Sequence, residues 1–96
     1  MEEDIRSDSV TVGATAVRIC TEREVKPRSE IILTNSSAGG QSITLTFGRE
    51  ASTGAGVVLL PFAVYWATAT YGYSPTQGSV WAVASGAGAV LSVMER

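Results

Sequence analysis

Histidine is absent from this 96-residue chain, and cysteine occurs once, as Cys20. The first absence removes the commonest general base, the usual partner of a nucleophilic Ser or Cys, and the commonest metal ligand. A single cysteine excludes an internal disulfide and fits no zinc spacing. Cys20 reads as a buried structural thiol, with a disulfide to another subunit as the alternative. Lys/Arg clusters are also missing, so nucleic acid has no electrostatic footprint here. Arg6, Arg18, Arg23, Lys26 and Arg28 are interleaved with Asp4, Asp8, Glu22, Glu24 and Glu30, a mixture that reads as an ordinary solvated surface. The opening Met1-Glu2-Glu3-Asp4 is acidic and unlike a secretory signal. No apolar run approaches the ~20 residues of a spanning helix; the nearest, from Val57 to Thr70, is interrupted by Pro61, so no membrane span is expected.

The largest absence is charge. From Ala51 to Met94 there is no Asp, Glu, Lys or Arg, yet this stretch holds Trp66 and Trp81 and the tyrosines Tyr65, Tyr71 and Tyr73. Nearly half the chain must stay soluble without charge or must not face water. That favours a structural or assembly role over an enzymatic one.

Alternation organises what is present. Met1 to Ser9 is polar with only Ile5 apolar, and reads as a flexible or partner-bound arm ahead of a single domain over residues 10–96. Period-two patterning then predicts strands at Val10–Val12, Thr15–Thr21, Glu30–Thr34, Gln41–Phe47, Val57–Leu60, Ala63–Thr70, Ser79–Ala84 and Ala89–Met94. Turn residues separate them, among them Asn35-Ser36-Ser37-Ala38-Gly39-Gly40 and Ser85-Gly86-Ala87-Gly88. The strands on either side of Asn35–Gly40 are expected to form a hairpin. No stretch keeps a helical period over three turns. The expectation is an all-β domain of about eight short antiparallel strands, a small sandwich or barrel, with a jelly roll among the topologies that fit. Val57–Leu60, Val64, Trp66, Val80, Trp81, Val83, Leu91 and Val93 are the expected core. Outward Thr, Ser and Ala faces, the loops at Gly54–Gly56 and Tyr71–Gly78, and Phe62 are left for neighbours.

Candidate chemistry fails on its physics. Gly54-Ala55-Gly56 has neither the following helix nor the lysine of a phosphate loop, and reads as a turn before a strand. Glu22 and Glu24 lie in a charged loop, without the apolar pocket that would raise one carboxyl. Asn35-Ser36-Ser37 has the form of a glycosylation sequon but reads more simply as a turn. No catalytic residue, metal or cofactor is expected. The tyrosines and tryptophans fit a core or a subunit interface, where aromatics are enriched and charge depleted; the alternative is a sugar-stacking platform.

Six pieces form a further pattern. They are Ile31-Ile32-Leu33-Thr34-Asn35, Thr46-Phe47-Gly48, Gly54-Ala55-Gly56-Val57, Leu59-Leu60-Pro61, Gly78-Ser79-Val80-Trp81-Ala82-Val83-Ala84-Ser85-Gly86, and Val90-Leu91-Ser92-Val93-Met94-Glu95. Over Glu30 to Glu95 the chain resembles small all-β virion accessory proteins of tailed phages and related viruses, of the capsid decoration, cement or vertex type. Those proteins usually place Gly after the proline, whereas Phe62 follows Pro61 here. The resemblance implies a structural virion protein on the capsid surface or at a vertex. It would form a homo-oligomer and bind a major capsid or other virion protein. No catalytic residues come with it. The residues expected at subunit contacts are Ile5, Gly54, Gly56, Phe62, Tyr71 and Tyr73. The rival from another class is a carbohydrate-binding or adhesin-type β module using exposed Tyr and Trp.

Overall fold

The computed structural model describes residues 6–21, 28–52, 54–69 and 78–96. They form eight strands and, among the described residues, no helix: β1 (Arg6–Val12), β2 (Val17–Cys20), β3 (Glu30–Asn35), β4 (Ile43–Phe47), β5 (Val57–Leu59), β6 (Val64–Thr68), β7 (Val80–Ala84) and β8 (Ala89–Glu95). Two four-stranded antiparallel sheets result, ordered β1-β8-β3-β6 and β2-β7-β4-β5. The chain alternates between the sheets at almost every connection, and only β4 and β5 are both consecutive and paired. This is the strand order of a jelly roll. The sheets keep open edges, so the architecture is a sandwich and not a closed barrel.

Inward positions of the two sheets make one core. Ile31, Leu33, Leu91 and Val93 come from the first sheet; Ile43, Leu45, Val80 and Ala82 come from the second, with Val12, Ile19 and Leu59 beside them. Alternation on these strands is what half-buried sheets require. The expected strands therefore appear, with two corrections to how they are arranged. Sheet pairing begins at Arg6, so Arg6–Ser9 belong to β1 and pair with β8 instead of forming an arm. The expected hairpin of β3 and β4 does not exist, because β3 lies between β8 and β6 while β4 lies between β7 and β5. Alternation cannot separate these outcomes, since a strand buries the same residues whichever sheet it joins.

Asn35 holds the corner where the chain crosses. Its Nδ2 donates to the carbonyls of Gln41 (2.9 Å) and Leu59 (2.8 Å), and its Oδ1 accepts the Ser37 N–H at 3.1 Å. Its own N–H donates to the Ala63 carbonyl and its carbonyl accepts from the Phe62 N–H. One fully buried residue thus ties β3, the crossover and β5 through its side chain, and the turn into β6 through its backbone. With its amide engaged on all sides, Asn35 has no accessible nitrogen for a glycan.

The opposite end is closed by charge. Glu95, at the end of β8, accepts from Arg6 (Nη1–Oε2 3.0 Å) and from Arg28 (Nε–Oε1 2.9 Å). Arg28 also donates to the Thr21 carbonyl at 3.1 Å and Arg6 to the Ile19 carbonyl at 2.8 Å. Arg28, read from the sequence as a solvated charge, is buried, and so is Glu30. Cys20 lies beneath this cluster, and burial together with the Glu95 carboxylate pushes its thiol up to about 11.

Two substitutions test these anchors. Asn35→Ala removes the side-chain bonds to the Gln41 and Leu59 carbonyls and the Ser37 N–H and is expected to lower the unfolding free energy by about 2–3 kcal/mol. Glu95→Gln removes the carboxylate charge that faces two guanidinium groups, one of them buried, with an expected loss of about 3 kcal/mol. Urea unfolding measures both.

Candidate interaction surface

At the Asn35 end, Leu60-Pro61-Phe62-Ala63 turns the chain from β5 into β6. The Ala63 N–H donates to the Leu60 carbonyl at 2.9 Å and Phe62 has φ 68°. With Pro61 in the preceding position, this is a type II turn, whose third residue favours Gly. Phe62 occupies the turn position that glycine adopts most easily. A non-glycine residue in this region costs roughly 1–2 kcal/mol. Its ring is 71% exposed, so no burial within the chain offsets that cost.

β6 continues the surface. Its inward residues are Ala67 and Tyr65, whose ring lies 5.2 Å from that of Phe47. Val64 (54% exposed) and Trp66 (65%) point outward, contrary to their expected place in the core. The register explains this: Tyr65 and Ala67 stand opposite Leu33 and Ile31, which are themselves buried. Val57, Val58 and Leu60 are exposed as well, and only Leu59 of that run is core. Trp81 is half-buried on the outside of the second sheet, beside Arg18 and Thr46.

The two outer faces differ. On the second sheet, Thr44, Thr46 and Val83 are buried beneath the chain's own loop. The Gly54 N–H donates to Thr44 Oγ1 at 3.0 Å, and Thr46 Oγ1 donates to the Arg49 carbonyl at 2.7 Å. Gly54 has φ 81°, and a Cβ on Gly56 would collide with the Leu45 carbonyl. Both glycines thus have work inside the chain, pinning this loop. The first sheet carries no such cover among the described residues. Its outward rows run Trp66–Ile32–Met94–Ser7 and Val64–Thr34–Ser92–Ser9. These rows contain no charge.

Charge appears at one end of that face, where Glu30 Oε1 accepts from Arg96 Nε at 2.7 Å and Oε2 from the Trp66 indole at 2.9 Å. Arg96 first, then the indole, hold the Glu30 carboxyl below the usual carboxylate range. The same bond fixes the Trp66 ring across the outer face.

Of the expected contact residues, the structure brings Phe62 onto an exposed apolar corner and assigns Gly54 and Gly56 to a loop; Ile5, Tyr71 and Tyr73 lie outside the described residues. Val64 and Trp66 are additions that the sequence offered no means of finding, since either face of an uncharged β6 is apolar enough to be core. No group of three or more His, Cys, Asp or Glu among the described residues could hold a metal ion. No described helix is long and apolar enough to cross a membrane. In comparisons with known protein families, curated proteins and solved structures, nothing matches this chain.

The cost at Phe62 can be measured. Phe62→Gly should stabilise the isolated domain by about 0.5–1 kcal/mol, the relief of left-handed strain less the added chain entropy. Thermal unfolding of the variant should shift upward by a few degrees, and a downward shift would mean that the ring supports the fold.

Proposed function

We infer that this chain is a structural, non-enzymatic virion protein. In this reading it is a capsid decoration, cement or minor capsid component that assembles with copies of itself and binds a larger shell protein. The observation that carries the reading is the uncharged apolar surface around Phe62 and Trp66, with Phe62 held in a backbone conformation that glycine would adopt more easily. Contiguous exposed apolar surface of this kind marks interaction sites in soluble proteins. Strain retained to carry an exposed ring, where glycine could make the same turn, points to a role for that ring outside the fold. The absence of charge means that docking strands no unpaired ion.

The sequence resemblance to virion accessory proteins and the jelly-roll strand order agree with this reading. The strand order does so by analogy alone, because lectins and other proteins share it. The carbohydrate-binding alternative draws on one observation, the exposed Trp66 ring, since sugars stack on such rings.

Two measurements separate the readings. Sedimentation velocity of the purified chain should show a discrete oligomer at micromolar concentration, and the chain should co-sediment with assembled viral shells. A monomer at all concentrations with no affinity for shells would overturn the virion reading. Quenching of tryptophan fluorescence by added glycans would favour the carbohydrate module instead.

A further inference from the structure

Of the four edge strands, two are guarded and two are not. β1 carries Arg6 and Asp8; β2 carries Arg18 and a register shift between Arg18 and Cys20. Charges and bulges of this kind are how sheets avoid pairing with other chains. β5 is protected by its three-residue length alone. β6 has none of these devices. Its five residues, Val-Tyr-Trp-Ala-Thr, are uncharged, regular and mostly of high strand propensity.

The backbone of β6 is open in a defined way. The Ala63 carbonyl and the Ala69 N–H bond toward β3, so the main-chain groups of Tyr65 and Ala67 face β3 as well. Those of Val64, Trp66 and Thr68 face the other way. No strand of the fold pairs with them among the described residues. The side chains of Val64, Trp66 and Thr68 share the outer face, whose charge among the described residues is confined to the Glu30–Arg96 pair at the Thr68 end.

We propose that β6 is the contact between two copies of this chain, paired antiparallel across a two-fold axis at Trp66, so that the first sheet continues from one copy into the other. The proposal rests on the assembly reading above and names the surface for it. Trp66 is the middle residue of β6, and centring the axis there gives the longest overlap. Val64 then stands opposite the second copy's Thr68, and Trp66 opposite its own counterpart. Every such pair exchanges N–H···O=C bonds in both directions. Side-chain pairs across the axis are aromatic with aromatic and β-branched with β-branched, the favourable cross-strand classes. The two Glu30–Arg96 pairs fall at opposite ends of the contact, so no like charges meet.

Area argues for a second copy as the occupant. Leu60, Phe62, Val64 and Trp66 together expose on the order of 500 Å², against ~800 Å² per partner in a standard interface. The main-chain ladder and the neighbouring Ile32, Thr34 and Thr68 supply the remainder. A strand with no charged residue of its own offers a charged partner little to recognise, while an identical edge matches it residue for residue.

Paired cysteines read the register directly. Residues in a hydrogen-bonded antiparallel pair sit about 5.5 Å apart at Cα, within disulfide range. Val64→Cys combined with Thr68→Cys should give a covalent dimer on mild oxidation, whereas either substitution alone should not. Cys20, buried and with its thiol pushed up to about 11, does not compete. Trp66→Lys places like charges across the axis, and Thr68→Pro removes an outward N–H while sparing the β3 ladder. Each should shift the sedimentation profile to monomer, by at least tenfold in dissociation constant, with the far-UV spectrum unchanged. If the double-cysteine chain stays monomeric on oxidising gels, or both blocking variants remain oligomeric, the β6 contact is wrong while self-assembly through another surface stands. A wild-type monomer that still co-sediments with shells overturns this contact and leaves the virion reading intact. If Trp66→Lys and Thr68→Pro abolish shell binding but leave the dimer, the occupant of β6 is the shell protein and the proposal fails.

Discussion

The Glu95 carboxylate is the point at which the sandwich is tied shut. It ends β8, the strand between β1 and β3, and each of its oxygens takes a guanidinium from a different part of the chain. Through Arg6 and Arg28 it reaches the carbonyls of Ile19 and Thr21, at the close of β2 and just beyond it. The first sheet is thereby fastened to the second at one end by charge-assisted bonds, which are roughly twice as strong as neutral ones. Such a cluster is tolerable in a small core only because nearly every lone pair and donor is matched.

This placement shapes the rest. Charge is gathered at the Glu95 end, in Arg6, Asp8, Arg28, Glu30 and Arg96, and the far end is left to neutral groups. There Asn35 performs the equivalent fastening with an amide. The surface that runs from the Asn35 corner along β6 therefore stays uncharged until it reaches the Glu30–Arg96 pair. Charged pairs thus gather at one pole of the molecule, and the exposed apolar side chains Leu60, Phe62, Val64 and Trp66 lie at the other and along one edge.

Strand positions were legible because short alternating runs between turn residues admit few other readings. The eight runs read from the sequence overlap all eight strands, from Val10–Val12 inside β1 to Ala89–Met94 inside β8. Pairing was not legible. Asn35–Gly40 has the composition of a hairpin turn, yet it is a crossover, because the decision rests on the long-range bonds of Asn35 to Leu59 and Ala63. Facing was legible where one side was polar, as in Ile43, Leu45 and Phe47 against Thr44 and Thr46. It failed in β6, where Trp66 outweighs Ala67 in hydrophobicity but Ala67 is the residue the core has room for. Arg28 looked solvated because its neighbours in sequence are charged; its partner Glu95 is distant in the chain. At Phe62 the sequence held a usable signal, an aromatic residue after proline where glycine is easier.

Asn35 has a bearing on how the molecule ages. An asparagine followed by a small residue is normally a clock: the next backbone nitrogen attacks the side-chain carbon, ammonia leaves, and a succinimide opens to aspartate or isoaspartate. Here the attacking nitrogen, that of Ser36, is held by the Val90 carbonyl at 3.0 Å, and both Nδ2 hydrogens are committed to carbonyls. The asparagine whose deamidation would place a carboxylate against the Gln41 and Leu59 carbonyls is thus kept out of reach of its own backbone.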